Sequence, residues 1–492
     1  MYKFQLSKST FLRSLKCAKC LYLNKHHKEL RGDTSESQQA VFDQGSWVGE
    51  LACDLFPGGV DLTPEDFSDF APNLARTAEE MQKENTVLYE AGFAHEGVLC
   101  LGDIIVKKGG RTLAYEVKSS TSVKEVYVQD AALQYYVMDK CGHTPADFFI
   151  VYINNQYMRL GDTDINQLFV VESVLTEVKA LQPKMPGWLD AARQVLTGGE
   201  VPVKDIGPWC FDPYACDFID HCWKHIPEVS VFNISRLSTD KKFDLYNQEI
   251  VALEDVPEDY PLNENQRLQV DCYKTQETFI NEEQIRTFLD GLQYPLYFLD
   301  FETFGAAVPL VDHSRPYQQV VFQYSLHVQD APHGEVKHYE YLAPTDGSDP
   351  RDGFIENLLK DCGLSGDVLV YNVGFERGKL EDLKGAYPGK ATRINDLIAR
   401  LKDLMVPFQN KWYYTPEMNG SYSIKKVLPA LVPELSYEHL EIGDGATASQ
   451  VFANMMAGAF EGDMEKTRID LLKYCEMDTW AMVRILEKLH TV

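Results

Sequence analysis

The sequence predicts an α/β protein built from two mixed-sheet domains. At 492 residues the chain is too long for one ordinary hydrophobic core, and its 45% hydrophobic and 12% aromatic content is that of a folded protein. Strand and helix patterns alternate in two separate stretches, one within 36–153 and one from 296 onward. We therefore assign residues 1–225 to the first domain, 226–290 to a helical connector and 291–492 to the second domain.

The first domain follows the element order αβββαβ. Apolar residues recur at helical spacing over 36–56, and a second helical pattern covers 124–140. The turn KKGGRT joins two of the strands, since adjacent glycines between strand patterns are typical of a hairpin. The strand-like segments are 87–93, 98–106, 113–119 and 147–153.

The second domain begins with three strands and then returns to helix. The segment 318–328 alternates polar and apolar residues, as a half-buried strand does, and the turn DAPHGE follows it. After the last predicted strand, 367–371, the pattern is mostly helical to the C-terminus. The predicted strands are 296–301, 318–328, 336–342 and 367–371, with a helix over 353–361 between the last two.

Composition restricts the compartment and the partners. No apolar run approaches the ~18 residues of a membrane span or has the character of a signal peptide, so we expect a cytoplasmic protein without a membrane partner. In that compartment the eleven cysteines are better explained as metal ligands or buried thiols than as disulfides.

The net charge of −27 argues against a nucleic-acid partner, but it is unevenly distributed. Residues 1–31 hold eight basic side chains against one acid, Glu29. Such a segment can bind phosphates, and a solvated surface helix is the alternative explanation. The basic residues are Lys3, Lys8, Arg13, Lys16, Lys19, Lys25, Lys28 and Arg31.

Two acids interrupt the apolar stretch YFLDFETF. In a strand, Asp300 and Glu302 lie on the same face, because side chains two apart point the same way. Two like charges this close are unfavourable unless a cation lies between them. The alternative is a strand that ends at residue 299 and leaves both acids in solvent.

Other acids of the second domain can join this pair. Glu376, in NVGFERGKL, follows a strand and begins a helix, while Tyr474 and Asp478 share one face of a late helix. Alone, Glu376 could favour a helix N-terminus and Asp478 a wet helix face. Together, the four acids suit two Mg²⁺ or Mn²⁺ ions ~4 Å apart that clamp a phosphodiester, with Tyr474 orienting the water.

The motifs LDFET, YNVGFE and YCEMD resemble the three exonuclease motifs of the DnaQ-like (DEDD) 3′→5′ exonucleases. This resemblance implies an RNase H-like fold, which matches the βββαβα order. It also implies that Asp300, Glu302, Glu376 and Asp478 are metal ligands and that Tyr474 is catalytic. Glu376 departs from the family, which has Asp there.

The first domain carries a second acidic set. Asp103 lies in one strand, and Glu116 and Lys118 share a face of the next. Two carboxylates can bind Mg²⁺ or Mn²⁺, and an ammonium can steady the attacking water or the phosphate. An exposed Glu–Lys ladder on an edge strand is the alternative.

Cysteines flank this domain. Cys210, Cys216 and Cys222 recur at matched spacing, and the CAKC segment supplies Cys17 and Cys20 far upstream. Three spaced cysteines and a distant fourth suit a four-thiolate site. The residues alone allow either zinc or an iron–sulfur cluster.

This region resembles the RecB-type nucleases with a cysteine-bound cluster, including AddB and CRISPR-associated exonucleases. The resemblance implies a PD-(D/E)XK restriction-endonuclease-like fold and a [4Fe–4S] cluster, with one ligand before the nuclease core and three after it. It implies Cys17 rather than Cys20 as the lone ligand, and a nucleic-acid-positioning role for Gln134. The family's metal-binding histidine is replaced by Gly49, beside which Glu50 is a possible substitute. The ligands implied are Cys17, Cys210, Cys216 and Cys222.

Across the whole chain, FQYSLH, YNVGFE, GSYSIKKVLPAL and YCEMDT resemble an uncharacterised bacterial family, classified as a domain of unknown function, that joins these two nuclease types. The predicted function is a metal-dependent nuclease, with DNA ahead of RNA as its substrate, in nucleic-acid processing, repair or anti-phage defence. The alternative is a nucleic-acid-binding or scaffold protein with one or both sites degenerate. Protein partners, cleavage polarity and oligomeric state stay open.

Overall fold

The protein is α/β with mixed sheets, as predicted. The computed structural model describes residues 4–34 and 36–492, so Lys3 of the basic segment lies outside the described residues. The chain divides into two compact units. The first holds the residues up to His225 together with Arg315–Tyr317, and the second holds Ile226–Ser314 and Gln318–Val492. Among the described helices, none combines the length and the hydropathy that crossing a bilayer requires.

The first unit is built on one mixed sheet. Its strands are β1 (Leu6–Ser7), β2 (Val60–Asp61), β3 (Thr86–His95), β4 (Val98–Lys108), β5 (Arg111–Lys118), β6 (Asp147–Ile153) and β7 (Phe169–Ser173). Its helices are α1 (Lys8–Lys16), α2 (Ala18–His26), α3 (Glu36–Ala52), α4 (Ala71–Glu80), α5 (Glu125–Lys140), α6 (Ile165–Leu168), α7 (Leu175–Leu181), α8 (Met185–Thr197) and α9 (Ile219–Cys222).

The sheet of the first unit has the strand order β2-β3-β4-β5-β6-β7, and β1 pairs with β4. Strands β3, β4 and β5 form an antiparallel meander, whereas β6 runs parallel to β5 and is reached through α5. The βββαβ part of the predicted order is thereby confirmed from β3 to β6, whereas β2 and α4, which were not predicted, lie between the predicted helix α3 and β3. Residues Ser7 and Thr10 form a capping box that starts α1, which places Lys8 in its first turn.

The second unit contains the remaining elements. Its strands are β8 (Phe279–Ile280), β9 (Leu296–Phe304), β10 (Val320–Gln329), β11 (Val336–Leu342), β12 (Val368–Val370), β13 (Leu401–Asp403) and β14 (Tyr413–Tyr414). Its helices are α10 (Thr239–Asn247), α11 (Glu264–Thr275), α12 (Glu282–Asp290), α13 (Pro350–Asp361), α14 (Val373–Ala386), α15 (Ala391–Ala399), α16 (Val406–Gln409), α17 (Ile424–Leu431), α18 (Gly445–Ala457) and α19 (Met464–Leu489).

The main sheet of the second unit has the order β11-β10-β9-β12-β13. Strands β11, β10 and β9 are antiparallel, and β12 and β13 run parallel to β9. Asp300 pairs with Ser325 and Glu302 with Gln323, so both acids lie inside the ladder. The hypothesis of a strand that ends at residue 299 is therefore wrong, because hydrogen bonding continues to Phe304.

Residues 226–290, assigned from the sequence to a connector, are grouped with the second unit. They hold α10, α11 and α12 and the short strand β8, which pairs with β14. Around α10 and α11 they also form a small apolar core of their own. Its buried members are Val231, Ile234, Leu237, Leu245, Leu253, Val256 and Val270.

Candidate active sites and the cysteine cavity

Four acids of the second unit come from three elements around the centre of its sheet. Asp300 and Glu302 lie on β9, Glu376 lies in the first turn of α14, and Asp478 lies on α19. Glu302 is 7% exposed, Glu376 2% and Asp478 8%, while Asp300 is half-buried. Acids are rarely buried to this degree without a partner, so the group is not a solvated strand end.

Burial raises the pKa of each acid in this group, and repulsion from a neighbouring acid adds to the shift at Asp300, Glu302 and Glu376. Burial and Asp478 raise the pKa of Asp300 well above its usual range, and burial and Asp300 do the same for Glu302 and Glu376. Lys425 opposes the shift at Asp300, Glu302 and Asp478. Moreover, Glu376 Oε2 is buried without a hydrogen-bond partner. This donor set fits divalent cations, which take carboxylate ligands.

Two tyrosines and a cysteine border the acids. Tyr437, which the sequence did not single out, donates a hydrogen bond of 2.7 Å to Asp478 Oδ1. Tyr474 is buried, and a Cβ at Gly445 would lie 3.8 Å from its hydroxyl and 3.6 Å from Glu302 Oε2, so α18 begins beside both groups. Cys475 Sγ lies 3.8 Å from Asp300 Oδ2.

The acidic set of the first unit is also brought together. Val117 N–H donates to Asp103 Oδ2 over 2.8 Å, which orients Asp103 toward the β5 strand that carries Glu116 and Lys118. Lys118 Nζ lies 2.6 Å from Glu116 Oε1 and 2.8 Å from Asp130 Oδ2. Burial opposes the positive charge of Lys118, but Asp130 and Glu116 outweigh it and raise the pKa of the ammonium.

Lys8 provides the cation between the two carboxylates of this site. Its Nζ lies 3.1 Å from Asp103 Oδ1 and 3.0 Å from each oxygen of Glu116. Burial opposes the charge of Lys8, yet Asp103 and Glu116 raise its pKa well above the usual value. An ammonium thus occupies the position between the carboxylates that a divalent metal ligated by Asp103 and Glu116 would take.

Glu90 and Asp130 are further acids that the sequence analysis missed. Glu90 lies on β3 opposite Asp103 on β4, at a point where the register of the two strands omits both residues. Its φ is +53°. Burial and Asp103 raise the pKa of Glu90 to about 7. An acid within the apolar strand VLYEAGF was the available signal for Glu90. Asp130 stands one helical turn before Gln134 on α5, and that spacing could have identified it.

Gln134 and Gly49 have different environments. Gln134 is buried and donates to Glu116 Oε2 over 2.6 Å and to Asp130 Oδ1 over 3.2 Å, so it is joined to the carboxylate site. Gly49 lies on α3, and a Cβ there would meet no atom within 4 Å. Glu50 is exposed. The position at which the RecB-type nucleases have their histidine is therefore open here, and no residue of similar chemistry replaces that histidine.

The cysteines at the two ends of the first unit line one partly open cavity. Phe218, fully buried, packs in the apolar cluster beside it. All eleven cysteines of the chain are free thiols, as expected. Those that line the cavity are Cys17, Cys20, Cys210, Cys216 and Cys222.

Cys20 differs from the other thiols in this cavity in that it contacts both Cys216 and Arg13. A hydrogen bond from Cys20 lowers the pKa of Cys216 to about 6, and Arg13 Nη1 lies 3.9 Å from Cys20 Sγ. Burial raises the pKa of Cys17 and of Cys222. Cys17, Cys210 and Cys216 all act on the charge of Cys222, so these four thiols surround a common space.

Part of the chain matches a family of unknown function. Residues 297–423 match the model of a domain of unknown function (DUF2779), as the likeness of the motifs led us to expect. An uncharacterised protein of Ureaplasma parvum is 27% identical over 241 residues, which are 43% of this chain and 34% of that protein. An uncharacterised protein of Mycoplasma pneumoniae is 28% identical over 206 residues, which are 38% of this chain and 31% of that protein. The chain spans about a third of the length of these relatives.

Replacing Lys8 by Met tests the ion pairs of the first unit. Without the ammonium, Asp103 and Glu116 repel each other, and we expect the metal-free protein to lose about 1–3 kcal/mol of unfolding free energy. The same variant should bind Mn²⁺ about tenfold more tightly, because its competitor is gone. Thermal unfolding in chelator and Mn²⁺ titration measure the two effects. Lys140→Met, on the exposed end of α5, is the control, and equal Mn²⁺ affinity in both variants would contradict the expectation.

The pH dependence of stability tests the burial of Asp478. Burial raises its pKa to about 6, against about 3.9 for an unfolded aspartate. In the metal-free protein, protonation of Asp478 stabilises the folded state by about 3 kcal/mol. This stabilisation is complete below about pH 4 and is lost as the pH rises through about 6. Asp478→Asn should remove this contribution and leave the contributions of Asp300, Glu302 and Glu376, whose pKa values are also raised. Thermal unfolding in chelator between pH 4.5 and 8 measures it, with Glu438→Gln as an exposed control that keeps the wild-type slope.

Proposed function

We propose that this protein is a metal-dependent nuclease with two hydrolytic sites. The observation that carries the proposal is the group of four acids on β9, α14 and α19, which are mostly buried and which protons or bound cations must neutralise. The order β9-β10-β11-α13-β12-α14 supports an RNase H-like fold for this unit, and the motif resemblance supports 3′→5′ exonuclease activity. The substrate is a nucleic acid, with DNA ahead of RNA, and the expected compartment is the cytoplasm.

In the second unit, the acids hold the metals and the neighbouring side chains position the substrate. Bound Mg²⁺ or Mn²⁺ would activate the attacking water and neutralise charge on the phosphate. Asp300, Glu302, Glu376 and Asp478 are the ligands. Tyr474 orients the water through its hydroxyl, and Lys425 attracts the phosphate, because its charge already lies within reach of the acids.

In the first unit, Asp103, Glu116 and Glu90 hold a metal once Lys8 gives way, and Lys118 contacts the reacting phosphate. The αβββαβ order supports a PD-(D/E)XK fold. A specific observation also favours a second candidate function for this unit, namely binding nucleic acid without cleaving it. Lys8 already neutralises Asp103 and Glu116, and Gly49 stands where the family has a metal-binding histidine.

The cysteine cavity fits a [4Fe–4S] cluster bound by Cys17, Cys210, Cys216 and Cys222. A tetrahedral zinc site holds its sulfurs about 3.8 Å apart, given Zn–S bonds of about 2.3 Å. In the described chain, the groups of three potential metal ligands within 4.8 Å of one another both lie in the second unit. Among the described residues, no three thiols of the first unit form such a group, which supports a cluster, whose iron–sulfide core separates its ligands.

A degradation assay on end-labelled single- and double-stranded DNA and RNA with Mg²⁺ or Mn²⁺ tests the function. Asp300→Asn keeps the size of the side chain but removes a metal ligand, so 3′-end trimming should fall by at least about 100-fold. Lys118→Met should abolish any activity that persists in Asp300→Asn, since Lys118 acts on the phosphate of the other site.

Glu438→Gln and Lys140→Met are the matched controls and should retain full activity. If the Asp300→Asn variant trims 3′ ends at the wild-type rate, the second unit is not the exonuclease. If Lys118→Met changes nothing in that background while nucleic-acid affinity persists, the first unit is a binding module.

Anaerobic purification tests the cluster. The protein should be brown with a broad band near ~400 nm from thiolate-to-iron charge transfer. Cys17→Ser should lower its iron content, whereas Cys20→Ser should retain it. Cys141→Ser, a half-buried thiol elsewhere in the first unit, is the control. Colourless protein with one zinc per chain would contradict the cluster, and iron loss in Cys20→Ser alone would reassign the ligand.

A further inference from the structure

A histidine pair and a carboxylate form a separate group of metal-ligand side chains in the second unit, outside the proposed nuclease site. His327 on β10 and His338 on β11 are direct cross-strand partners, and their rings stack with centroids 4.5 Å apart. Glu476 on α19 places Oε1 3.8 Å from His338 Nδ1. One ligand atom from each of the three residues lies within 4.8 Å of the other two.

Two hydroxyl groups hold one nitrogen of each imidazole. The Thr479 hydroxyl lies 3.0 Å from the carbonyl oxygen of Glu476, 2.7 Å from Ser325 Oγ and 2.8 Å from His327 Nδ1. Ser325 Oγ in turn lies 2.9 Å from His338 Nε2. When Thr479 donates its one hydrogen to the Glu476 carbonyl, it accepts from Ser325 and from His327 Nδ1–H, and Ser325 accepts from His338 Nε2–H.

In that arrangement one lone pair is free on each ring, at His327 Nε2 and at His338 Nδ1. Metal-binding histidines have this arrangement, with the second ring nitrogen held by a neighbouring polar group. Burial and the nearby His338 also lower the pKa of His327 to about 3, so that ring is neutral. The His338 side chain is 24% exposed and that of Glu476 47%, which gives an ion access from solvent.

We propose that His327, His338 and Glu476 bind one divalent transition-metal ion, with zinc as the expected occupant and water completing its coordination. Two imidazoles and one carboxylate are ligands that zinc takes at sites with an open position, whereas Mg²⁺ prefers oxygen ligands alone. The ion joins β10 and β11 to α19. Its ligand on α19, Glu476, lies two residues before Asp478, so the same helix contributes to two different kinds of site.

Cobalt binding to the full chain tests this site. Chelator-treated protein is dialysed against Co²⁺, and bound cobalt is counted per chain. His338→Asn and Glu476→Gln should each weaken binding of one cobalt at least about tenfold, since each removes a ligand. His439→Asn and Glu438→Gln, exposed residues of the same unit, are the matched controls and should bind as the wild type does.

If the thiols of the first unit also bound cobalt, the charge-transfer absorption of cobalt thiolates in the near ultraviolet would distinguish them. Loss of one cobalt with that absorption unchanged supports the histidine site. Equal cobalt content in all four variants overturns it, as does a loss confined to the thiolate absorption. Because Glu476 is a solvent-facing residue on α19, its variant keeps the fold, and circular dichroism checks this.

Discussion

Carboxylates buried next to one another are the constraint on which the second unit depends. In a medium of low polarity, neighbouring acids must take up protons or a cation, because their repulsion is hardly screened there. Lys425 offers one positive charge to Asp300, Glu302 and Asp478. Protons or a bound cation must therefore neutralise the rest of the negative charge that the three elements bring together. A chain selected for stability alone would have apolar residues at these positions.

The first unit meets the same requirement with its own side chains. Lys8 contacts both oxygens of Glu116, Lys118 contacts Oε1, and Gln134 donates to Oε2. Here the acids are satisfied before any ligand binds, so a metal has to compete with an internal partner. The two units thus represent two solutions to one electrostatic problem, an internal counter-ion in the first and a deficit of positive charge in the second.

The sequence predicted what depends on local spacing. The strands, the helices and the acids at i, i+2 positions follow from short periodicities, and they appear in the structure at the expected places. Lys8 could not be assigned to the carboxylate site, because it is 95 residues from Asp103 and its position depends on how α1 packs. Tyr437 lies outside any periodic pattern. The pairing of His327 with His338 depends on the register across the DAPHGE turn, which no single strand specifies.

The cysteine cavity has a consequence for the unfolded chain. Cys17 precedes strands β2 to β7, and Cys210, Cys216 and Cys222 follow them, so a group bound to all four would close a loop of nearly two hundred residues. Closing a loop of that length restricts the unfolded ensemble by an entropy worth about 5 kcal/mol in the chain-entropy model. The reduction state and the iron supply of the cell would then act on the folding equilibrium of the whole first unit, far beyond the cavity itself.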